Sequence, residues 1–548
     1  MSDRSGGRPA ATSGVVTIGY GADDATLATP ARVGFKAANL LQMARIGLPV
    51  PQAFVLDTEW SRSHAATATA PAPALRDTLA GAMRELEAAT ALGFGDSRRP
   101  LLVSVRSGAA VSMPGMMDTL LNIGLNEASL RALVRFTGNP RLAWNSYRRL
   151  IQSFAETVRG MPAEPLAVRV AAEVERHGLA SERELDFASE RRLALELLEL
   201  YRESAGEPFP QSPMAQLEAA VRAVIASADG TKAREYRRLH SLPDELPTAI
   251  TVQRMVYGNA GGTSGAGVGF TRDPATGVRE RYYDFLFNAQ GEDVVSGRAG
   301  TDEADRLPHV LPEISERLDA VAAQLEREFG DMQEFEFTVQ EGELFLLQTR
   351  DAKRTPLARL VSAVELAEDG VIDTAAALAM LDNLDLGTIA ITRLDDSGGA
   401  DIIAHGVAAG AGIAAGEIAL DSEAAMRARD AGRAAILVRE NAETADIEGM
   451  AAAAGLVTAH GSRTSHAAVV ARQMGIVCVV GCASLAIDAS ARTARFGEVV
   501  LREGEFVSVA GEMGTVYRGS VRVTTERPAR WLDTVARWRA AVPAALDA

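Results

Sequence analysis

The sequence predicts an α/β and α+β protein of several domains, and three observations lead to this fold class. Its 548 residues exceed the length of an ordinary single domain, so we expect two to four. The composition, 47% hydrophobic and 23% charged, is typical of a globular protein with a core of normal size. Helical patterns dominate up to about residue 245, strand patterns with turn signals dominate residues 249–349, and residues 401–518 combine the two.

Charge and cysteine content exclude several classes of protein. A net charge of -16 disfavours a surface that coats nucleic acid, because neutralising phosphates requires clustered lysines and arginines. The only cysteines, Cys478 and Cys482, lie in one apolar run, so we expect buried free thiols rather than disulfides or a metal site. The N-terminal residues lack the apolar segment of a signal peptide, and no apolar stretch is long enough to cross a membrane. We therefore expect a cytoplasmic protein that binds neither nucleic acid nor membrane.

The first elements are a flexible polar tail over residues 1–30, a helix and a strand. Apolar spacing predicts the helix over residues 36–46, and Gly47-Leu48-Pro49 ends it. Residues 54–56 are typical of a strand, and residues 64–75 are typical of a low-complexity loop.

The later part of the chain contains a candidate linker, a domain and a final helix. Two helical patterns, near 357–369 and 373–384, and a Gly-rich run after them predict a helical linker over residues 355–400. Residues 401–518 have the length of a normal domain. Residues 519–548 end in one polar helix that is expected from Glu526 onward.

His466 is the first candidate for a chemical role. It follows Thr464 and Ser465, either of which can cap the Ala-rich helix pattern that comes next. The free amides and the dipole at the start of a helix favour an anion there. A neutral imidazole nitrogen attacks a phosphoryl group near neutral pH without a separate base. We interpret His466 as a phosphoryl acceptor, and the alternative is a capping or core histidine.

Two further segments are suited to phosphate binding. Residues 258–269 contain six glycines with Thr263 and Ser264, and their amides and close backbone approach suit phosphates; a flexible hairpin explains the composition equally well. Arg106 ends a strand pattern before a loop of small residues, where its guanidinium suits bidentate contact with phosphate oxygens. A surface arginine at a strand end is the alternative.

Glu334 and Glu336 alternate along a strand pattern that turns back through Gln348. Alternation places both carboxylates on one face of the strand, where they suit a Mg²⁺ ion that bridges phosphates; solvated glutamates are the alternative. A plain two-residue turn would pair Glu336 with Leu347. For Gln348 to join the site, the hairpin therefore needs a three-residue loop or a bulge.

Taken together, six segments resemble pyruvate phosphate dikinase, in the order that its family has them. They are GFKAANL (34–40), SVRSG to SMPGMMDT (104–119), TVQRMVYGN to GFTRDPATG (251–277), NAQGEDVVSG (288–297), FLLQTRDAKRT (345–355) and TSHAAVVARQMG (464–475). The resemblance runs from about residue 33 to the end of the chain. It implies an ATP-grasp-like nucleotide-binding domain over 31–354 with a helical subdomain at about 120–245, the helical linker, a swivelling α/β phosphohistidine domain over 401–518, and no C-terminal TIM barrel.

The resemblance also implies a reaction and the residues that carry it out. ATP and phosphate would give AMP, pyrophosphate and a phosphohistidine, with Mg²⁺ as the cofactor. His466 would be the carrier, and Thr464 matches a threonine that is phosphorylated in plant members. The residues implied to bind ATP or phosphate are Lys36, Arg106, Gly115, Gly261, Gly262, Thr263, Ser264, Gly265, Glu334 and Arg350. Glu336 and Gln348 would hold the metal ion.

The sequence departs from the family pattern in several loops. The departures are Ala459 and His460 before the histidine, Ala260 and Gly262 in the glycine-rich loop, Ala110 in place of an arginine, and Asp284 in place of a glutamate. Family members continue into a barrel that binds pyruvate and phosphoenolpyruvate, so we expect a separate barrel chain as the partner for that step. The alternatives are transfer to another small acceptor and a non-catalytic nucleotide-binding regulator.

Overall fold

A computed structural model describes most of the chain, and the contacts within it divide the chain into two compact units. The described residues are 14–21, 29–65, 73–110, 119–179, 181–228, 230, 233–234, 237–238, 243, 246–295, 301–395, 401–442 and 446–541. The first unit comprises residues 1–261 and 345–348, and the second comprises 262–344 and 349–548. Within the described ranges, no helix has both the length and the apolarity that a membrane span requires.

A five-stranded antiparallel sheet organises the first unit. The strands of this unit are β1 (Val15–Ile18), β2 (Ala53–Leu56), β3 (Gly93–Phe94), β4 (Pro100–Leu101), β5 (Val103–Ala109), β6 (Thr119–Ile123) and β7 (Thr248–Arg254). The sheet has the order β1-β2-β7-β5-β6, and every neighbouring pair in it runs antiparallel. β3 and β4 form a separate short parallel pair. The strand predicted at residues 54–56 is confirmed as β2.

The first unit also contains nine helices whose bounds lie among the described residues. They are α1 (Pro30–Val33), α2 (Phe35–Arg45), α3 (Thr58–Ala65), α4 (Pro73–Thr90), α5 (Glu127–Thr137), α6 (Pro140–Arg159), α7 (Glu164–Arg176), α8 (Phe187–Ala205) and α9 (Pro213–Ser227). α6 begins where Asn139 caps it and Pro140 takes its first position, and Gly160 in the left-handed conformation ends it. The helix predicted at residues 36–46 is confirmed as α2. The predicted low-complexity loop is shortened by α3 and α4, and residues 66–72 lie outside the described residues.

The core of the first unit joins its sheet to its longest helices. Phe54 and Val105 of the sheet belong to the same buried cluster as Phe154 of α6 and Tyr201 of α8. Each of these side chains is at most 1% exposed. Because the cluster is continuous, burial of apolar area fixes the helices on the sheet.

The second unit contains four sheets. Its strands are β8 (Gly265–Phe270), β9 (Tyr282–Phe287), β10 (Gln333–Gln340), β11 (Glu343–Asp351), β12 (Ile391–Leu394), β13 (Ile402–His405), β14 (Val407–Ala408), β15 (Ile413–Ala419), β16 (Ala435–Arg439), β17 (Gly455–Thr458), β18 (Val477–Val480), β19 (Leu485–Asp488), β20 (Thr493–Phe496), β21 (Val499–Arg502), β22 (Phe506–Ala510), β23 (Thr515–Arg518) and β24 (Val523–Glu526). The sheet orders are β11-β10-β8-β9, β12-β24, β13-β23-β22-β15-β16-β17-β18-β14 and β19-β20-β21. Residues 345–348 of β11 belong to the first unit, and the rest of that strand belongs to the second.

The eight-stranded sheet gives residues 401–518 their α/β character. β15 to β18 run parallel in its middle, and antiparallel strands flank them. The helices of the second unit are α10 (Gly291–Val295), α11 (Thr301–Val310), α12 (Pro312–Phe329), α13 (Pro356–Glu368), α14 (Thr374–Ala379), α15 (Ser422–Asp430), α16 (Ile447–Ala452), α17 (His466–Met474) and α18 (Ala529–Ala541). The mixed α/β, multidomain class predicted from the sequence is confirmed, and no sheet among the described residues closes into a barrel.

The helices predicted around residues 355–384 and at the C-terminal end exist, but two of them have different bounds. α14 ends at Ala379, five residues before the predicted end, because Asp382 and Asn383 favour turns over helix. α18 starts at Ala529, three residues after the predicted start, since Glu526 ends β24. α13 and α18 share one buried cluster that includes Leu360 and Leu532.

Both cysteines are buried free thiols, as predicted. Cys478 and Cys482 are 0% exposed, and burial raises the pKa of each thiol to about 12. Because the thiolate is the reactive species, the native protein should consume no Ellman's reagent at pH 8. In denaturant both thiols should react. Rapid reaction of either thiol in the native protein would contradict this burial.

Candidate functional site

His466 occupies the first position of helix α17, as the sequence predicts. The Ser465 side chain caps the helix by accepting a hydrogen bond from the amide of Ala468 at 3.5 Å, and Gly475 ends the helix in the left-handed conformation. β17 precedes this segment, so the predicted strand, loop and helix are confirmed in that order. His466 therefore lies where helix amides have no partner within the helix.

Thr464, two residues before His466, is held by a buried carboxylate. Its amide and its hydroxyl both donate to Oδ2 of Asp284, each at 2.8 Å. Asp284 lies on β9 and is 4% exposed. From the sequence, Asp284 is recognisable only as a departure from the family pattern. No local signal predicts the bond, because 180 residues separate its partners.

The predicted acidic hairpin consists of β10 and β11. Nη2 of Arg350 donates to Oε1 of Glu334 at 2.5 Å, and Glu334 is 5% exposed. Burial by itself lowers the pKa of Arg350, but the charges of Glu334 and Glu336 outweigh it and raise that pKa. Oε2 of Glu334 is buried and has no hydrogen-bond partner among the described atoms.

Side-chain bonds in this hairpin show which faces its residues share. The turn has two residues, Glu341 and Gly342, both with positive φ. The ion pair places Glu334 and Arg350 on the same face of the hairpin. A plain two-residue turn would instead place these two residues on opposite faces. We infer a one-residue shift of the kind that a bulge produces. Bonds from Gln333 to Asp351 and Thr349, at 2.9 and 3.1 Å, fit the same shift.

A shift of this kind is what Gln348 requires in order to join Glu336, and whether the two side chains meet stays a prediction. Alternation along β10 places Glu336 on the face of Glu334. Carboxylate and amide oxygens are hard ligands, and Mg²⁺ is usually held by one or two protein oxygens together with substrate phosphates. Glu336 and Gln348 each carry an oxygen of this kind, and their role toward Mg²⁺ stays a prediction. The described residues contain no group of three or more His, Cys, Asp and Glu side chains that could hold a metal.

The glycine-rich segment divides into an open turn and a buried strand. A methyl group at Gly261 or Gly262 would contact nothing within 4 Å, and Gly262 and Thr263 are exposed. The base of this turn is fixed, since Ser264 Oγ accepts the amide of Glu341 at 2.9 Å. Gly265 begins β8, where a methyl group would lie 2.1 Å from the Phe285 ring. Packing alone accounts for this glycine, and its role toward ATP stays a prediction.

Lys36 and Arg106 lie on two elements of the first unit that are in contact. Lys36 is in the first turn of α2, two residues after Gly34, and Arg106 lies on β5, two residues before Gly108. A methyl group at Gly34 would lie 2.4 Å from the carbonyl oxygen of Gly108. The backbone approach thus brings these two cationic segments together. Gly115 lies outside the described residues.

Two family models match this chain. The family model described as pyruvate phosphate dikinase, AMP/ATP-binding domain, matches residues 64–309, and that described as PEP-utilising enzyme, mobile domain, matches residues 431–514. Together they match more than half of the chain.

Three similar proteins carry the same name. The pyruvate, phosphate dikinase of Rhizobium meliloti is 40% identical over 520 residues, which are 92% of this chain and 58% of the relative. That of Clostridium symbiosum is 39% identical over 511 residues, 91% of this chain and 58% of the relative. Pyruvate, phosphate dikinase 2 of Zea mays is 38% identical over 508 residues, 92% of this chain and 57% of the relative. The chain spans somewhat more than half the length of these relatives, and it belongs to the pyruvate phosphate dikinase family.

Proposed function

We propose that this chain uses ATP and phosphate to phosphorylate His466, releasing AMP and pyrophosphate. An imidazole nitrogen attacks the β-phosphorus of ATP, so a pyrophosphoryl group moves to His466 and AMP leaves. Inorganic phosphate then takes the outer phosphoryl group as pyrophosphate, and phosphohistidine remains. The observation that carries this proposal is the position of His466 at the start of a capped helix, directly after a loop that is bonded to β9.

The proposed roles of the other residues follow from their charge and placement. Lys36, Arg106 and Arg350 hold phosphate oxygens, which suits guanidinium and ammonium donors. Open glycine amides near Gly262 cover the phosphates. Glu336 and Gln348 hold Mg²⁺, which when bound neutralises phosphate charge. The free Oε2 of Glu334 accepts a hydrogen bond from the nucleotide. The roles of Gly115, Gly261, Thr263, Ser264 and Gly265 toward ATP, and of Thr464 beside His466, are part of the same proposal.

The domain organisation belongs to the same proposal. We propose an ATP-grasp-like nucleotide domain over 31–354, a helical linker over 355–400, and a phosphohistidine domain over 401–518 that swings between two sites; residues 519–548 hold the C-terminal linker helix. Pyruvate occurs in the names of the relatives, so we propose it as the eventual acceptor, reached through a barrel on a separate chain. We also propose that the protein acts in the cytoplasm.

Replacing His466 by asparagine should abolish the phosphorylation of the chain that defines this function. We call the added phosphoryl group the label. After incubation with ATP, phosphate and Mg²⁺, intact mass analysis of the wild-type chain should show one added, acid-labile phosphoryl group, together with AMP and pyrophosphate in solution. The matched control is His405→Asn, an exposed histidine of β13 that should keep the label. Label that survives H466N, or a wild-type chain that binds ATP without becoming labelled, would refute the proposal.

A further inference from the structure

The glycine-rich turn before β8 and the turn between β10 and β11 are bonded to each other. The ladder between β8 and β10 ends at Gly265, the first residue of β8. Beyond this point the amide of Gly342 donates to the carbonyl of Thr263 at 3.0 Å. The amide of Glu341 donates to Oγ of Ser264 at 2.9 Å. We call these two bonds the turn contact.

The Ser264 hydroxyl supplies an acceptor that the neighbouring carbonyls do not supply. The carbonyl of Thr263 accepts the amide of Gly342, and that of Ser264 accepts the amide of Asn288 at 2.8 Å. Only the hydroxyl among these groups receives the Glu341 amide. Glu341 has φ 51°, in the left-handed region that costs a residue other than glycine free energy, so its conformation depends on bonds of this kind.

Ser264 is buried, whereas the residues directly before it are open. Its side chain is 0% exposed, while Gly262 and Thr263 are exposed. A methyl group at Gly261 or Gly262 would contact nothing within 4 Å. Open backbone amides suit contact with phosphates, whereas a buried hydroxyl that already accepts a bond suits a supporting role. The role of Ser264 toward a nucleotide is therefore best explained through the position of the turn.

The turn that Ser264 holds belongs to the hairpin with the candidate nucleotide and metal residues. Glu334 and Glu336 lie on β10, which runs to Gln340, the residue directly before Glu341. Because one continuous strand joins the two carboxylates to the turn, their position is linked to that of Ser264. The turn contact thus connects two segments that are each suited to a phosphate or its metal ion.

We infer that Ser264 is a positioning residue that fixes the glycine-rich turn on the β10–β11 hairpin. The open amides of Gly261 and Gly262 are then held at a set place relative to Glu334 and Glu336 before ATP binds. Groups that are already ordered lose less conformational entropy when a ligand arrives, so the turn contact should strengthen ATP binding. The inference rests on the proposed function for its ATP part, while the turn contact can be measured without any nucleotide.

Hydrogen exchange on the full chain tests the turn contact directly. In Ser264→Ala the amide of Glu341 should exchange at least about tenfold faster than in the wild type, because its acceptor is lost. Ser264→Cys fills the same space with a weak acceptor and should behave like Ser264→Ala, whereas Ser264→Thr keeps the hydroxyl and should retain most of the protection. The matched control, Ser490→Ala, removes an exposed serine hydroxyl from the turn between β19 and β20 and should change nothing at Glu341. Unchanged exchange in both Ser264→Ala and Ser264→Cys overturns the inference.

Binding of α,β-methylene-ATP with Mg²⁺ then tests the positioning role. Attack at the β-phosphorus cannot release AMP from this analogue, so calorimetry measures binding alone. The Kd should rise at least about fivefold in Ser264→Ala and Ser264→Cys and stay within about twofold of the wild type in Ser264→Thr and Ser490→Ala. In the wild type, the bound analogue should also slow exchange of the Glu341 amide, because coupling between two sites is reciprocal.

The outcomes separate the inference from the proposed function. A wild type that binds the analogue as tightly as Ser264→Ala does, although Glu341 exchanges faster in the variant, overturns the positioning role of Ser264. A wild type that does not bind the analogue overturns the proposed function and the ATP part of the inference with it. The exchange rate of Glu341 still decides the turn contact in that case.

Discussion

Replacing Glu190 by alanine should lower the free energy of unfolding of the first unit by about 3–5 kcal/mol, because the change leaves a buried charge without its partner. Glu190 of α8 is 0% exposed and accepts bonds from Arg148 Nε and Asn145 Nδ2, each at 2.6 Å. Arg148 is itself only 1% exposed, so water cannot replace the lost carboxylate. The remaining partner of Arg148 is Glu182. The Glu182 carboxylate accepts a hydrogen bond from Nη2 of Arg148 at 3.1 Å and is partly exposed.

The same network reaches the glycine-rich segment. Asn145 accepts a hydrogen bond from the amide group of Asn259 at 3.3 Å, one residue after the first glycine of that segment. Loss of Glu190 should therefore also loosen the start of this segment. If the glycine amides bind ATP phosphates as proposed, the KM for ATP should rise in the variant at temperatures where it stays folded.

Urea unfolding followed by tryptophan fluorescence can isolate the first unit. Trp60 and Trp144 belong to this unit, whereas Trp531 and Trp538 belong to the second, so a background with Trp531→Phe and Trp538→Phe reports the first unit alone. The matched control is Glu199→Ala in the same helix, whose partner Arg202 is exposed, and it should cause no measurable loss. Equal losses of unfolding free energy in the two variants would show that the buried network stabilises the first unit no more than the exposed ion pair does.

Replacing Gly34 by alanine should be the most damaging small change near the predicted nucleotide residues. Gly34 has φ 80° and ψ 156°, a backbone conformation that is essentially restricted to glycine and costs other residues about 1–3 kcal/mol. The new methyl group would also lie 2.4 Å from the backbone oxygen of Gly108, which cannot rotate away. We expect α2 to be displaced from β5, and with it Lys36.

Gly47, at the other end of α2, provides the control. Its φ is 79°, but a methyl group there would contact nothing within 4 Å, so Gly47→Ala tests the positive φ without a clash. We expect Gly34→Ala to lower the melting temperature more than Gly47→Ala and to abolish phosphohistidine formation, which Gly47→Ala should only weaken in proportion to stability. Equal melting temperatures would mean that the close backbone approach is not required.

The sequence by itself determined the features that depend on neighbouring residues. Helix spacing and capping predict the α2 helix, the Ser465 cap and the place of His466 at the first position of its helix. Strand alternation predicts that Glu334 and Glu336 share a face. Burial of Cys478 followed from the apolar run around it. Short motifs also identified the family, which the comparisons confirm. These features were predictable because the interactions that fix them lie within a few residues.

Only the tertiary structure decided which distant groups meet. The hairpin shift that pairs Glu334 with Arg350 depends on a local irregularity that alternation does not reveal. The bond from Thr464 to Asp284 and the ion pair of Arg148 with Glu190 join residues 180 and 42 positions apart. Such contacts exist because folding places particular strands and helices side by side. No periodicity or cap signal within one segment encodes the identity of its neighbour in space.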